Sequence, residues 1–257
     1  MRRATSRYSI LLRGMGLVIA LVLLAACARP GTPTPTISRA PMPQPGAEWD
    51  YVVLGDSRTW GFPDYYAAHI EADLGVKVTV HYWSRDGQMS GSLLLLLRNN
   101  QELRSDISEA EVVTFFGNAG RGYCGGIDTE DCFGQTLTDF RANLDAIIAE
   151  ILSLRSTSDT IIRTMDWFHP CVKENKEDGI FEECKRCIEA LNEQIVQAAS
   201  EHNIPVVRTH PVFNGPDGDE DAREKGYVQA DGLHHNEAGR VLIADLHREL
   251  GYEYAGP

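Results

Sequence analysis

From Trp49 onward, short apolar runs alternate with longer stretches whose apolar positions recur every three or four residues. The runs Asp50–Leu54, Lys77–Trp83, Glu111–Phe116, Thr160–Asp166 and Pro205–Thr209 are five to seven residues long and rich in β-branched and aromatic side chains. Runs of that length and makeup predict strands buried on both faces, as in parallel sheets. Between them, helices are predicted over Asp64–Leu74, Ser92–Arg98, Thr136–Leu154 and Glu182–His202, with Asn236–Leu250 closing the chain. In the third of these, Phe140, Leu144, Ile147, Ile148 and Ile151 share one face, which predicts a core stripe rather than a binding surface. Leu93–Leu97 reads in the same way, as a buried helix start. No internal repeat is visible.

Strict alternation of strand and helix implies a parallel sheet covered on both faces by right-handed crossovers. Five strands then give an α/β fold, a three-layer α/β/α sandwich with a five-stranded parallel sheet of the flavodoxin-like kind. Ligands in such sheets bind beyond the carboxyl ends of the strands, where the strand order reverses. Strand exits and the loops after them are therefore the places to look for chemistry.

Before Trp49 the pattern is different. Residues 1–26 carry four arginines, no acidic residue and an apolar run from Gly16 to Ala26. A basic start, a short apolar stretch and small residues read as an export signal, and the run is short for a bilayer span. Leu24-Ala25-Ala26-Cys27 resembles the lipobox of bacterial lipoproteins, which implies cleavage before Cys27 and lipidation of its sulfur. An ordinary signal peptide and an uncleaved anchor are the alternatives. Residues 27–48, with Pro-Gly-Thr-Pro-Thr-Pro-Thr and Pro-Met-Pro-Gln-Pro-Gly, have too little apolar surface to pack and read as an extended tether. Residues 49–257 remain as one domain. The expected location is the cell envelope, with the domain exported and held to a membrane through Cys27.

Charge narrows the partners. Without the four leader arginines the chain keeps 20 basic against 37 acidic residues, a formal charge of −17. That argues against nucleic acid or anionic headgroups as the main partner. The densest charge run, Asp217-Gly-Asp-Glu-Asp-Ala-Arg-Glu-Lys, lacks the glycine and closing glutamate of a calcium loop, having Ala222 and Val228 there, and reads as a solvated loop. With Cys27 acylated, five cysteines remain. In an oxidising compartment they predict disulfides, Cys124 with Cys132 and Cys171 with Cys184 or Cys187. A metal site from His169, Cys171, Cys184 and Cys187 is the rival.

Two short segments carry the chemistry. Gly55-Asp56-Ser57 leaves the first strand and enters a helix start, where backbone N–H groups can stabilise an oxyanion; read alone, Ser57 is more simply a helix cap. Asp231-Gly-Leu-His234 precedes the last helix, and an aspartate three residues before a histidine can fix its tautomer. A serine hydroxyl needs such an oriented base to act as a nucleophile.

On these residues the chain resembles the SGNH/GDSL hydrolase superfamily over nearly all of Trp49–Leu250. Its first block, Gly-Asp-Ser-Leu, corresponds to Gly55-Asp56-Ser57-Arg58, and its last, Asp-x-x-His, to Asp231–His234. The second-block glycine corresponds to Gly87, preferred to Gly91, which falls inside the next helix. The third block, Gly-x-Asn-Asp, corresponds to Phe116-Gly117-Asn118-Ala119. The resemblance implies Ser57 as nucleophile, His234 as general base and acid, and Asp231 as its orienting partner. It implies an oxyanion hole from the N–H groups of Ser57 and Gly87 and the Asn118 amide, with no metal or organic cofactor. The implied activity is hydrolysis of carboxylic esters, of O-acetylated sugars, lysophospholipids or small acyl esters. Departures stand at Arg58, Phe116, Ala119 and His235, and the eroded third block leaves a non-catalytic surface binding module as the alternative. Asp56 is expected to support its turn, Tyr123 and the loop 120–133 to form a substrate-facing lid, and His81, His169, His210 and His235 to be ordinary histidines.

Overall fold

The structure, a computed structural model, describes residue 44 and residues 46–120 and 134–256, all within a compact unit spanning Ile37–Pro257. The predicted leader, Cys27, most of the tether, Tyr123, Cys124, Cys132 and nearly all of the expected lid lie outside the described residues.

Five parallel strands form one sheet: β1 (Glu48–Leu54), β2 (Lys77–Tyr82), β3 (Val112–Phe115), β4 (Ile161–Met165) and β5 (Val206–Val207), in the order β2-β1-β3-β4-β5. The chain leaves β1 toward β2, then returns to lay β3 on the other side, so the order reverses between β1 and β3. The helices are α1 (Phe62–Leu74), α2 (Ser90–Asn99), α3 (Gln101–Glu109), α4 (Gln135–Leu152), α5 (Val172–Glu177), α6 (Phe181–Ser200), α7 (Thr209–Asn214) and α8 (Glu237–Glu249).

Alternation along β1 sorts the core into two layers. Tyr51 and Val53, with Val112 and Ile161, pack under α1 and α8 through Tyr66, Ile70 and Ala244. Val52 and Leu54, with Val113 and Ile162, pack under α2, α4 and α6 through Leu97, Leu144, Ile148 and Ile188. The stripe expected on α4 is buried throughout. Arg163 of β4 is buried on the α1 side, where it donates to Tyr66 Oη at 2.8 Å and to the carbonyls of His247 and Gly251. It thereby ties the end of α8 to the sheet.

The structure departs from the expected elements in instructive places. β1 begins at Glu48, which pairs with Lys77, so the last residue assigned to the tether belongs to the sheet. β5 shrinks to two residues because Thr209 turns away, donating through Oγ1 to the buried Asp166 and opening α7. α3 escaped notice because it buries only Leu103 and Ile107, too sparse a period to register. The expected bond from Cys171 to Cys184 or Cys187 is wrong: Cys171 is a free thiol, while Cys184 and Cys187 are disulfide-bonded. The rival metal site is not assembled either. Among the described residues no group of His, Cys, Asp and Glu is disposed to hold a metal, and His169 stacks on Phe181 and accepts from the Asn175 amide.

Candidate active site

Gly55 ends β1 with φ +143°, and a Cβ there would lie 2.9 Å from Thr59 Cγ2 and 3.0 Å from Phe116 Cβ. Only glycine admits so sharp an exit beside β3. Asp56 then caps the 3₁₀ turn Ser57–Thr59, accepting from the Arg58 N–H at 2.9 Å. The turn points Ser57 Oγ at the loop before α8.

That loop is held by local hydrogen bonds. Asp231 Oδ1 accepts from the N–H groups of Leu233 (2.9 Å) and His234 (3.0 Å), and the Gln229 N–H donates to the His234 carbonyl at 2.7 Å. Asn236 caps α8 by accepting from the Gly239 N–H. His234 Nδ1 lies 2.8 Å from Asp231 Oδ2, and its Nε2 lies 2.9 Å from Ser57 Oγ. An ionised carboxylate only accepts, so Nδ1 carries the proton and Nε2 is left to accept from the Ser57 hydroxyl. Burial works against the charge on Asp231, but the bonds from Leu233 and His234 outweigh it and lower its pKa to about 2. The carboxylate is therefore charged at any physiological pH.

Asn118, 4% exposed, stands just past β3. Its Oδ1 accepts from the Gly120 N–H at 2.7 Å and its Nδ2 donates to Asp56 Oδ2 at 2.5 Å. Both ends of the amide are thus fixed, and the second Nδ2 hydrogen remains. Ser57, Gly87, Asn118 and His234 together line one cavity of about 320 Å³. Among the described residues, no other hydrogen bond takes the N–H of Ser57 or Gly87. Gly91 lies inside α2, as expected. Burial raises the pKa of Asp56 against the opposing pull of Arg58 and the hydrogen bonds it accepts.

The departures from the family blocks are absorbed by packing. Arg58 is buried with its guanidinium 4.1 Å from the Trp167 ring centroid and 5.5 Å from that of Phe116. Phe116 and Trp167 pack at 5.6 Å, and Trp167 Nε1 donates to the Gly117 carbonyl. His235 is turned inward, its Nε2–H donating to the Trp60 carbonyl at 2.8 Å. His81 is paired with Asp50, and neither it nor His169, His210 or His235 lines the cavity.

Sequence reasoning missed Trp60, Met89 and Leu233, which also line the cavity. The Trp60 indole stacks on the His234 imidazole, centroids 5.8 Å apart and planes at 10°. Nearness of Trp60 to Ser57 along the chain is the one signal that pointed to it.

The model of the GDSL-like Lipase/Acylhydrolase family matches residues 53–242, well over half of the chain, and the chain belongs to that family of hydrolases. A lipase from a goat rumen metagenome superposes with a TM-score of 0.68 at 21% identity, covering 80% of this chain and 99% of that one. A lipase/acylhydrolase from Enterococcus faecalis gives 0.54 at 22%, covering 79% and 95%. An acetyl xylan esterase variant from Geobacillus stearothermophilus gives 0.54 at 18%, covering 81% and 97%. A search of curated proteins finds no match. At these identities the structural likeness bears on the fold, a five-stranded parallel sheet flanked by helices.

Proposed function

We propose that this protein is a serine esterase that cleaves carboxylic esters through an acyl-enzyme on Ser57. The observation that carries the reading is the unbroken line from Ser57 Oγ through His234 to Asp231, with spacings of 2.9 and 2.8 Å. Ser57 Oγ attacks the ester carbonyl while His234 Nε2 takes its proton, and Asp231 stabilises the imidazolium that results. The carbonyl oxygen becomes an oxyanion facing the N–H groups of Ser57 and Gly87 and the free Nδ2 hydrogen of Asn118. His234 then passes its proton to the departing alkoxide, which leaves as the alcohol. Water, deprotonated by the same imidazole, attacks the acyl-enzyme, and His234 returns that proton to Ser57 Oγ as the acid is released. No step calls for a cofactor.

Asn118 keeps its place in the cavity although Phe116 and Ala119 depart from the block, which favours an active enzyme over a binding module of the same fold. The substrate is a carbohydrate O-acetyl ester or a lipase-like ester. Neighbours of the fold include acetyl xylan esterases and lipases, and the acidic domain favours the neutral carbohydrate ester. The protein is exported and anchored in the cell envelope by acylation of Cys27, on the strength of the Leu24–Cys27 segment.

Release of 4-nitrophenol from its acetate tests the chemistry. Wild type should turn over, and Ser57→Ala should fall by about 10⁴-fold or more; equal rates would leave only the binding module. Incorporation of labelled fatty acid, lost in Cys27→Ser, tests the anchor.

A further inference from the structure

A second concavity opens beside the Ser57 cavity. It measures about 860 Å³ and runs along the start of α2 and the α2–α3 junction. Asp86 and Gly87 belong to the walls of both, so the two spaces meet at the glycine that faces the reacting carbonyl. Its polar lining consists mainly of Arg85, Asp86, Gln88, Asn99, Asn100 and Gln101.

That lining discriminates among ligands. Its one cation, Arg85, shares the lining with the Asp86 carboxylate, which makes poor provision for a phosphate. Leu95 and Leu96 are its apolar members, too few to bury a long hydrocarbon chain. Four carboxamides also line it; Asn99 Nδ2 donates to the Leu95 carbonyl and Asn100 Oδ1 accepts from the Leu103 N–H, and the donors and acceptors that remain suit a row of sugar hydroxyls. Gln88 is only 8% exposed and its Oε1 has no partner among the described residues. That oxygen is itself shut off from solvent, so a ligand donor reaches it only when the side chain turns toward the groove.

Position adds to chemistry. The departing oxygen must come within hydrogen-bond reach of His234 Nε2 to be protonated, so the esterified unit sits in the cavity that His234 shares with Asp86 and Gly87. Trp60, 38% exposed and stacked on His234, gives that unit a flat apolar neighbour suited to the C–H face of a pyranose. Units linked to it then extend past Asp86 and Gly87 into the groove.

We propose that this groove is a subsite for sugar units adjoining the esterified one, so that the enzyme deacylates a glycan chain in preference to a lone sugar or a lipid. The proposal rests on the esterase reading above and names its substrate class. It is tested with O-acetylated mono- and tetrasaccharides of xylose, glucose and N-acetylglucosamine, against 4-nitrophenyl acetate as the ester without a sugar. For at least one sugar, kcat/KM should rise about tenfold or more from mono- to tetrasaccharide, since remote binding energy lowers the barrier. The variant Asn99→Ala/Gln101→Ala should cancel most of that rise. A flat length dependence for all three sugars, or a rise that survives in the variant, overturns the subsite while hydrolysis of 4-nitrophenyl acetate keeps the esterase. Should wild type and Ser57→Ala prove equally inert, the esterase reading fails, and calorimetric titration of Ser57→Ala with the tetrasaccharides decides the groove. Binding weakened by the two alanines supports it, and absence of binding to all three overturns it.

Discussion

Asp56, Ser57 and Asn118 stand at the carboxyl ends of β1 and β3 with 1, 8 and 4% of their surface exposed, whereas Asp231 reaches His234 from an irregular loop and keeps 44% of its side chain in solvent. The first half is fixed by the sheet ladder, where Leu54 pairs with Phe115 and the Phe116 N–H bonds back to the Leu54 carbonyl. The second half is fixed by its own short-range bonds and by the cap of α8. Among the contacts that join them are the Ser57–His234 bond itself, the stacking of Trp60 on His234 and the bond from His235 to the Trp60 carbonyl. In the proposed mechanism the nucleophile is thus seated at a strand end of the sheet, and the base is carried on a loop held by local bonds.

Variants can break that division in order of effect. His234→Ala removes the base and should lower kcat/KM for 4-nitrophenyl acetate by about 10⁴-fold or more. Retention of a tenth of the rate would show that another group takes the proton. Asp231→Asn keeps the loop's shape but permits the wrong imidazole tautomer, and a loss of about 10⁴-fold is expected. Asn118→Ala touches the other half and should cost about 10²-fold to 10³-fold, mostly in kcat. If it instead raised KM alone, Asn118 would be a binding group and the oxyanion assignment would fall. His235→Leu loosens the clamp between the halves and should cost about tenfold through misplacement of His234. Hydrogen exchange at Leu233 and His234 should quicken in that variant while exchange in β1 does not.

The remaining effect is on stability and leaves catalysis aside. Burial holds His235 neutral down to about pH 4 and holds the fully buried His247 well below the ordinary histidine range. The unfolded chain takes up these protons near pH 6.5, so it binds more of them than the folded chain over that window. Stability then falls as the pH drops from about 6.5 toward 4, by up to about 3 kcal/mol from His235. Urea midpoints at pH 7.5 and pH 5 should differ less for His235→Leu than for wild type; an equal difference in both would exclude His235 as a source.

The strands were legible because each is a short run rich in β-branched and aromatic side chains, and α4 because its stripe keeps strict period. β5 ran short of its predicted span because Thr209 answers to Asp166, a partner 43 positions away. α3, with two buried residues, had no stripe to read. The Asp231–His234 pair was legible because three residues is a local distance. Cys171 was mispaired because residue spacing cannot say which sulfurs a helix turns inward.

The chain's order of apolar and polar residues was enough to determine a parallel sandwich, to place Ser57 at a strand exit and to set Asp231 beside His234. Only the tertiary structure decided that Ser57 meets His234 across 177 positions, that Asp56 grips the Asn118 amide across 62, and that Trp60 lies flat on the imidazole. Local patterns record the solvent that each residue faces, and that preference repeats along the chain. Contacts between distant residues leave no such period, because they arise when loops close over a sheet whose strand order the pattern alone does not encode.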